Sequence, residues 1–248
     1  MMGTWIAHLR IAEKLLLELP YLDETTFTFG SLAPDSGMPN EDWSQFDPPK
    51  AVTHFQNPGE SDDKIRDMEF YRAYSQGVPA HDVCYSYLLG YYVHLLADKL
   101  WVRLINPTYY QVYAKELAEQ GVDYFWTLKK DWYDLDHRYV RDHRSSLFWR
   151  VYLNAPLPSI SLPFMKMQAL QHQTQHIRTF YSTPPERALD RAYLYLSAAT
   201  MQRYIDDCAR LALKLLPQLD TVPPKENSAL CLLSEDELKP YAPPLGDA

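Results

Sequence analysis

Apolar positions along this chain recur at helical rather than strand spacing. Near the N-terminus, Ile11, Ala12 and Leu15 follow His8 by three, four and seven residues, which predicts a helix with His8 on its buried face. Thr4 is placed to cap that helix and Pro20 to stop it, so it should end near Leu19. Residues 20–61 contain Pro20, Pro34, Pro39, Pro48, Pro49 and Pro58 and few periodic runs, and they read as one long loop region. Loops of that length inside a compact domain are usually functional or held by a ligand. Ser61 then opens a helix with Asp62 and Asp63 in its first turn, ending near Gly77. A long apolar helix is predicted over 79–105, closed by Asn106-Pro107, with further helices at about 108–119, 122–142 and 145–153. After a proline-bearing loop over 154–163, two more helices are expected at about 164–181 and 185–216. Without period-2 runs or internal repeats, the fold class is all-α: a single-domain helical bundle over 1–219 with one long N-terminal loop. Residues 220–248 are polar and rich in proline (Pro223, Pro224, Pro240, Pro243, Pro244) and are expected to form a peripheral tail.

Within the long apolar helix, Gly90 to Trp101 reads Gly-Tyr-Tyr-Val-His-Leu-Leu-Ala-Asp-Lys-Leu-Trp. His94 and Asp98 are four residues apart, so the imidazole and the carboxylate leave one face of the helix, one above the other. An ionised carboxylate is costly to bury without a counter-charge, and a metal ion supplies one. His8, Asp35 and His54 offer the same chemistry elsewhere. Each has an ordinary structural role as well: His8 as a hydrogen-bonded core residue, Asp35 as the turn aspartate of Ala-Pro-Asp-Ser-Gly, His54 as a residue closing its loop.

Composition narrows the function. The chain has 248 residues, enough for one sizeable core, and its 46% apolar and 23% charged residues argue against extensive disorder. A formal net charge of −8 without lysine or arginine runs argues against nucleic acid as a partner. A small phosphate-bearing substrate stays compatible, because bound metals invert the local potential. The first residues lack a basic n-region and a continuous apolar stretch, so no signal peptide is expected, and no window is apolar enough for a transmembrane span. Cys84, Cys208 and Cys231 are far apart and odd in number, which points away from disulfides and from cysteine metal sites and towards a cytoplasmic location.

Four segments together resemble the zinc-dependent phospholipase C family. They are His8 with Leu-Arg-Ile-Ala-Glu-Lys-Leu-Leu after it, Phe29-Gly-Ser-Leu-Ala-Pro-Asp35, Thr53-His54-Phe55, and the Gly90 to Trp101 helix. The resemblance covers roughly the first 105 residues. It implies a helical fold of phospholipase C type and a cluster of closely spaced metals. Asp35, His54, His94 and Asp98 would hold one ion, and His8 would join a second ion that shares Asp98. Imidazole and carboxylate donors without cysteine suit zinc or another first-row divalent metal, here two ions. After Asp98 the next histidine is His137, so ligands completing the second ion are sought in Asp131-Trp-Tyr-Asp134-Leu-Asp136-His137, with Asp134 the first choice.

The activity implied is hydrolysis of phosphoric esters, a phosphodiester or phospholipid-like substrate among them, with metal-activated water and Asp35 as general base or bridging ligand. Two rivals stand beside it. One is an HD-type phosphohydrolase using His54, His81-Asp82 and a distant aspartate such as Asp131. The other is a non-catalytic helical protein whose metal is structural. His172 and His176, four apart in polar surroundings, read as a surface pair.

Overall fold

The computed structural model describes residues 3–41, 44–223 and 225–241. The described residues are mostly helical. In chain order the helices are α1 (Trp5–Glu18), α2 (Glu24–Gly30), α3 (Lys50–Thr53), α4 (Asp67–Phe70), α5 (Val83–Leu104) and α6 (Asn106–Val112). They continue with α7 (Ala114–Gln120), α8 (Val122–Asp142), α9 (Met167–Ser182), α10 (Ala198–Leu215) and α11 (Glu235–Leu238). A two-stranded antiparallel ribbon pairs Met38 with Asp47 and Pro39 with Phe46.

Helix α5 is the axis of the fold. From Ser86 to Trp101 every residue is buried, so this helix has no solvent face and must be surrounded. Helices α1, α2 and α10 pack on it. The crossing with α2 is unusually close because glycine stands on both sides. A Cβ on Gly90 would come within 2.4 Å of the Phe27 carbonyl oxygen, and one on Gly30 within 2.1 Å of the Tyr87 carbonyl oxygen. Backbone therefore meets backbone there, which no other residue type allows.

The sequence reading departs from the structure in several places. The region over 20–61 is not one loop: Asp23 caps α2 by accepting from the Thr26 amide at 2.8 Å, and α3 and the ribbon follow. Helix α2 escapes a periodicity reading because Thr26 through Gly30 are all buried, leaving no polar stripe. The helix expected over 61–77 is broken into a short turn at Asp62–Lys64, then α4, which widens over Tyr71–Ser75. The helix expected at 108–119 is two, meeting at Tyr113, and the one at 145–153 is a single wide turn over Phe148–Tyr152. The last long helix begins at Ala198 rather than 185. The preceding segment is pinned to α8 by ion pairs instead: Arg187 to Asp134, Arg191 to Asp131 and Asp134, and Asp190 to Arg141.

The segment from 220, expected to be peripheral, is packed through Tyr241. Val222, Ala229, Leu233 and Leu238 join the core. Lys99 fastens it from α5, donating to Asp67 at 2.7 Å, Ser228 at 2.6 Å and the Ile65 carbonyl at 2.9 Å. The other Asp67 oxygen accepts from the Ala229 amide at 3.0 Å. Pro224, Pro243 and Pro244 lie outside the described residues.

Thr4 precedes α1 in extended backbone, but its hydroxyl does not cap the helix. It donates to Asp136 at 2.9 Å, while Tyr181 donates to the other Asp136 oxygen at 2.6 Å, tying the α1 entrance to α8 and α9. Burial pushes the Asp136 carboxyl up to about 7 against the pull of these hydrogen bonds and of Arg10. The folded chain thus keeps a proton that the unfolded chain releases near its ordinary value of 3.8. The associated stability is complete below that value and lost as pH rises towards 7. Asp136→Asn, which cannot ionise, should therefore be more stable than the wild type at pH 8 by on the order of a few kcal/mol. Denaturant unfolding across the acid to neutral range checks this: the gap should close towards pH 4, and a gap independent of pH would count against it.

Candidate metal centre

Four parts of the fold deliver five side chains to one point. His8 comes from the buried face of α1, and His94 and Asp98 come from α5. Asp35 ends the tight turn Ala33–Asp35 just after α2, and His54 follows the last residue of α3. His54, His94 and Asp98 have no exposed side-chain surface, and Asp35, at 21%, is the one reached from outside.

Local structure explains these positions. The turn carrying His54 is tied to α5 by the Tyr91 hydroxyl, which donates to the Thr53 carbonyl at 2.6 Å. Phe55, next in the chain, adopts φ +54°, a left-handed backbone that favours glycine. Its ring, at 5.3 Å from both Phe70 and Phe164, holds it there.

Hydrogen bonds fix the ring tautomers. His94 Nδ1 lies 2.9 Å from the Ser31 carbonyl oxygen, which can only accept, so Nδ1 carries the proton. His54 Nδ1 likewise faces the Lys50 carbonyl at 3.2 Å and the Thr53 hydroxyl at 3.0 Å. In their neutral forms both rings turn bare Nε2 lone pairs inward, and those atoms stand 3.3 Å apart. Two lone pairs facing one another need a proton or a cation between them.

Carboxylates complete the group. Asp35 Oδ1 lies 3.5 Å from His54 Nε2 and 3.8 Å from His94 Nε2. Asp98 Oδ2 lies 3.5 Å and 3.2 Å from the same two atoms and, among the described residues, has no hydrogen-bond donor. Donors around a tetrahedral zinc ion, at about 2.0–2.2 Å from it, stand roughly 3.3–3.6 Å apart. Asp35, His54 and His94 bring ligand atoms close enough together to hold one such ion, and Asp98 Oδ2 stands at similar distances from both histidines. The second Asp98 oxygen accepts from the Gly3 amide at 3.1 Å and lies 3.3 Å from His8 Nε2. His8 stacks on His94 with ring centroids 3.8 Å apart, and among the described residues neither of its nitrogens has a hydrogen-bond partner. With Asp98 it could hold a second cation.

Electrostatics agree with this balance. Burial penalises the Asp35 and Asp98 carboxylates, but His94 and His54 outweigh it and hold both carboxyls below their usual range. Burial also pulls His94 down, and Asp98 and Asp35 more than reverse it. His8 is lowered, first by burial and then by neighbouring His94. Without a metal, a proton on His94 is the readiest counter-charge.

Other candidates lie elsewhere. Asp134 is not brought to the cluster: its oxygens are taken by Arg187 Nε at 2.5 Å and by Arg191 at 2.7 Å. Its spacing to His137 placed both on one helix face, but the arginines that claim it come 53 and 57 residues later. Asp131 accepts from Arg191 and the Tyr195 amide, and Asp136 from Thr4 and Tyr181. His137 packs on Phe180 and Tyr181, and burial, with Arg187 nearby, holds its pKa down at about 4. His81 and Asp82 are exposed at the start of α5, where Asp82 accepts from the Cys84 amide, so the HD order gathers no ligand set among the described residues. His176 is half-buried rather than on the surface, its ring edge-on to Trp5.

Asp35 and His54 face a cavity of about 700 Å³. Trp5, Trp126, Tyr133 and Phe180 give it apolar walls. Lys50, Lys129 and Arg187 also line it. Neither of the last two, nor the carbonyl of Ser31 or the amide of Gly3, is distinguished in the sequence; only folding assigns them. No family model matches the chain, and neither a curated protein nor a solved structure gives a match.

Gly90 lies against the backbone of Phe27 and Ser31, and this close approach sets the distance from the Ser31 carbonyl to His94. Gly90→Ala should force α2 away from α5, lengthen that hydrogen bond and lower zinc affinity by about 10- to 100-fold. Competition with a chromophoric chelator measures this, and unchanged affinity in a folded variant would show that the bond does not orient His94.

Proposed function

We propose that this protein is a metal-dependent hydrolase of phosphoric esters, with an all-α fold of the phospholipase C type that its sequence resembles. The observation that carries the reading is the convergence of inward-turned His54 and His94 lone pairs with Asp35 and Asp98, beside a cavity that Asp35 and His54 line and that is large enough for a small substrate. Zinc or a similar divalent metal fits these donors, with Asp35, His54, His94 and Asp98 holding one ion and Asp98 and His8 contributing to a second. Such ions, when bound, supply Lewis acidity, which polarises phosphoryl oxygens and lowers the pKa of water.

The chain's own residues do the remainder. Ser31 and Lys50, through their carbonyls, hold the His94 and His54 rings in one orientation. Of the two donors that line the cavity, Asp35 and His54, Asp35 is the one with exposed surface, so it borders whatever enters. Held ionised by the two histidines, it accepts a hydrogen bond from water and orients it towards phosphorus; as a strong proton acceptor at neutral pH it is less suited. The aromatic walls exclude bulk water and pack against the organic part of the ester. Three unpaired cysteines support action in a reducing compartment. Among the described residues no helix is long and apolar enough to cross a membrane.

One observation favours a second reading. Asp35 and Asp98 both approach the His54 and His94 Nε2 atoms, and an ion taking all four donors would be closed, as in structural zinc sites, with no position left for substrate. Hydrolysis of bis(4-nitrophenyl) phosphate and 4-nitrophenyl phosphate separates the two. A catalytic centre gives chelator-sensitive turnover that Asp35→Asn lowers by about 100-fold or more. Zinc-loaded wild type that hydrolyses neither ester, yet loses its thermal stability on chelation, would assign the ion to structure.

A further inference from the structure

The cavity carries a second set of charges that the five clustered side chains do not use. We propose that it takes a phosphoric ester whose organic part bears a second anionic group, and that Lys129 and Arg187 hold this group while the phosphate faces Asp35 and His54. The ester half of this statement rests on the hydrolase reading; the anion half does not.

Lys129 projects from α8 with its ammonium over the rings of Phe125 at 4.9 Å, Trp126 at 5.0 Å and Tyr133 at 5.9 Å. Among the described residues it has no hydrogen bond or ion pair. The aromatic faces fix its position but accept no hydrogen bond, so its three N–H donors are left for something else. A part-buried cation without an anion carries a desolvation cost, and burial accordingly lowers its pKa to about 8. An incoming anion removes that cost.

Arg187 is prepared differently. Its Nε is bound at 2.5 Å to Asp134, which is itself buried, while the arginine side chain is 52% exposed and lines the same cavity. Asp134 is thus a positioning residue: it fixes the guanidinium plane, and among the described residues the terminal N–H groups have no partner, so they can make paired hydrogen bonds to a planar carboxylate or a phosphate. Lys50 adds a third positive charge to the lining. In a chain of net charge −8, this wall carries three cations against Asp35 and Asp62, and Asp35 is turned to the histidines. The apolar surfaces of Trp126 and Tyr133 lie with Lys129, which suits an aromatic or otherwise flat body joining the two anions.

A matched pair of ligands tests this on the full-length, zinc-loaded protein. 4-Carboxyphenyl phosphate and 4-carbamoylphenyl phosphate share shape and phosphate, and differ in the second charge. Calorimetric titration of wild type should give a Kd for the carboxylate roughly tenfold or more below that for the amide, the value of one charge-assisted hydrogen bond. Lys129→Gln and Arg187→Gln should each reduce that ratio, and together bring it near one, without weakening the amide. Lys129→Arg should retain it. Equal affinities for the pair in wild type, including no measurable binding of either, overturn the proposal without recourse to any variant. Turnover of the same compounds is scored separately: a preserved affinity ratio without hydrolysis refutes the hydrolase reading and leaves the anion site standing.

Discussion

Asp98 is buried without exposed surface and stays ionised because three imidazoles surround it. Much of the fold can be understood as meeting that condition. A carboxylate in such a place costs several kcal/mol unless it is paired and hydrogen-bonded. One oxygen faces Gly3 and His8, the other faces His54 and His94. Those partners come from α1, from the turn after α3 and from α5 itself, so satisfying one charge requires three separate parts of the chain to be in register. The glycine contact between α2 and α5 belongs to the same requirement, since it sets where the Ser31 carbonyl meets His94.

The site divides into a sealed half and an open half. His8, His94 and Asp98 lie within the helical core, where packing leaves their rotamers little freedom. Asp35 comes from a tight turn and the cavity wall from α1, α8, α9 and the segment before α10, and they meet solvent. Rigid donors at the back and a reachable carboxylate at the front are the arrangement expected where selectivity resides in the wall and affinity for a cation in the core.

Legibility in the sequence followed the range of the interactions involved. Helix α8 was readable to its ends because a helix half in solvent shows its period, and the pairing of His94 with Asp98 needs only one helical turn. The placement of His8, Asp35 and His54 beside them came from residue types and flanking segments that resemble a family, not from periodicity. Helix α2 could not be seen because its buried residues cover all its faces. The stretch before Ala198 reads as helix because Glu186, Arg187, Ala188 and Leu189 favour one. Its conformation is decided by Asp131, Asp134 and Arg141, some fifty residues earlier. The same distance misassigned Asp134, whose neighbours in sequence suggest a ligand and whose neighbours in space are arginines.

Asp98 and Lys99 are consecutive on α5, buried, and opposite in charge. Neighbouring residues on a helix point about 100° apart. One therefore faces the imidazoles, while the other faces Asp67 and the segment around Ser228. Turning α5 about its own axis in either direction would strip both charges of their partners at once. The pair acts as a torsional lock on the central helix: it resists rotation through electrostatics, in addition to the close glycine crossing with α2.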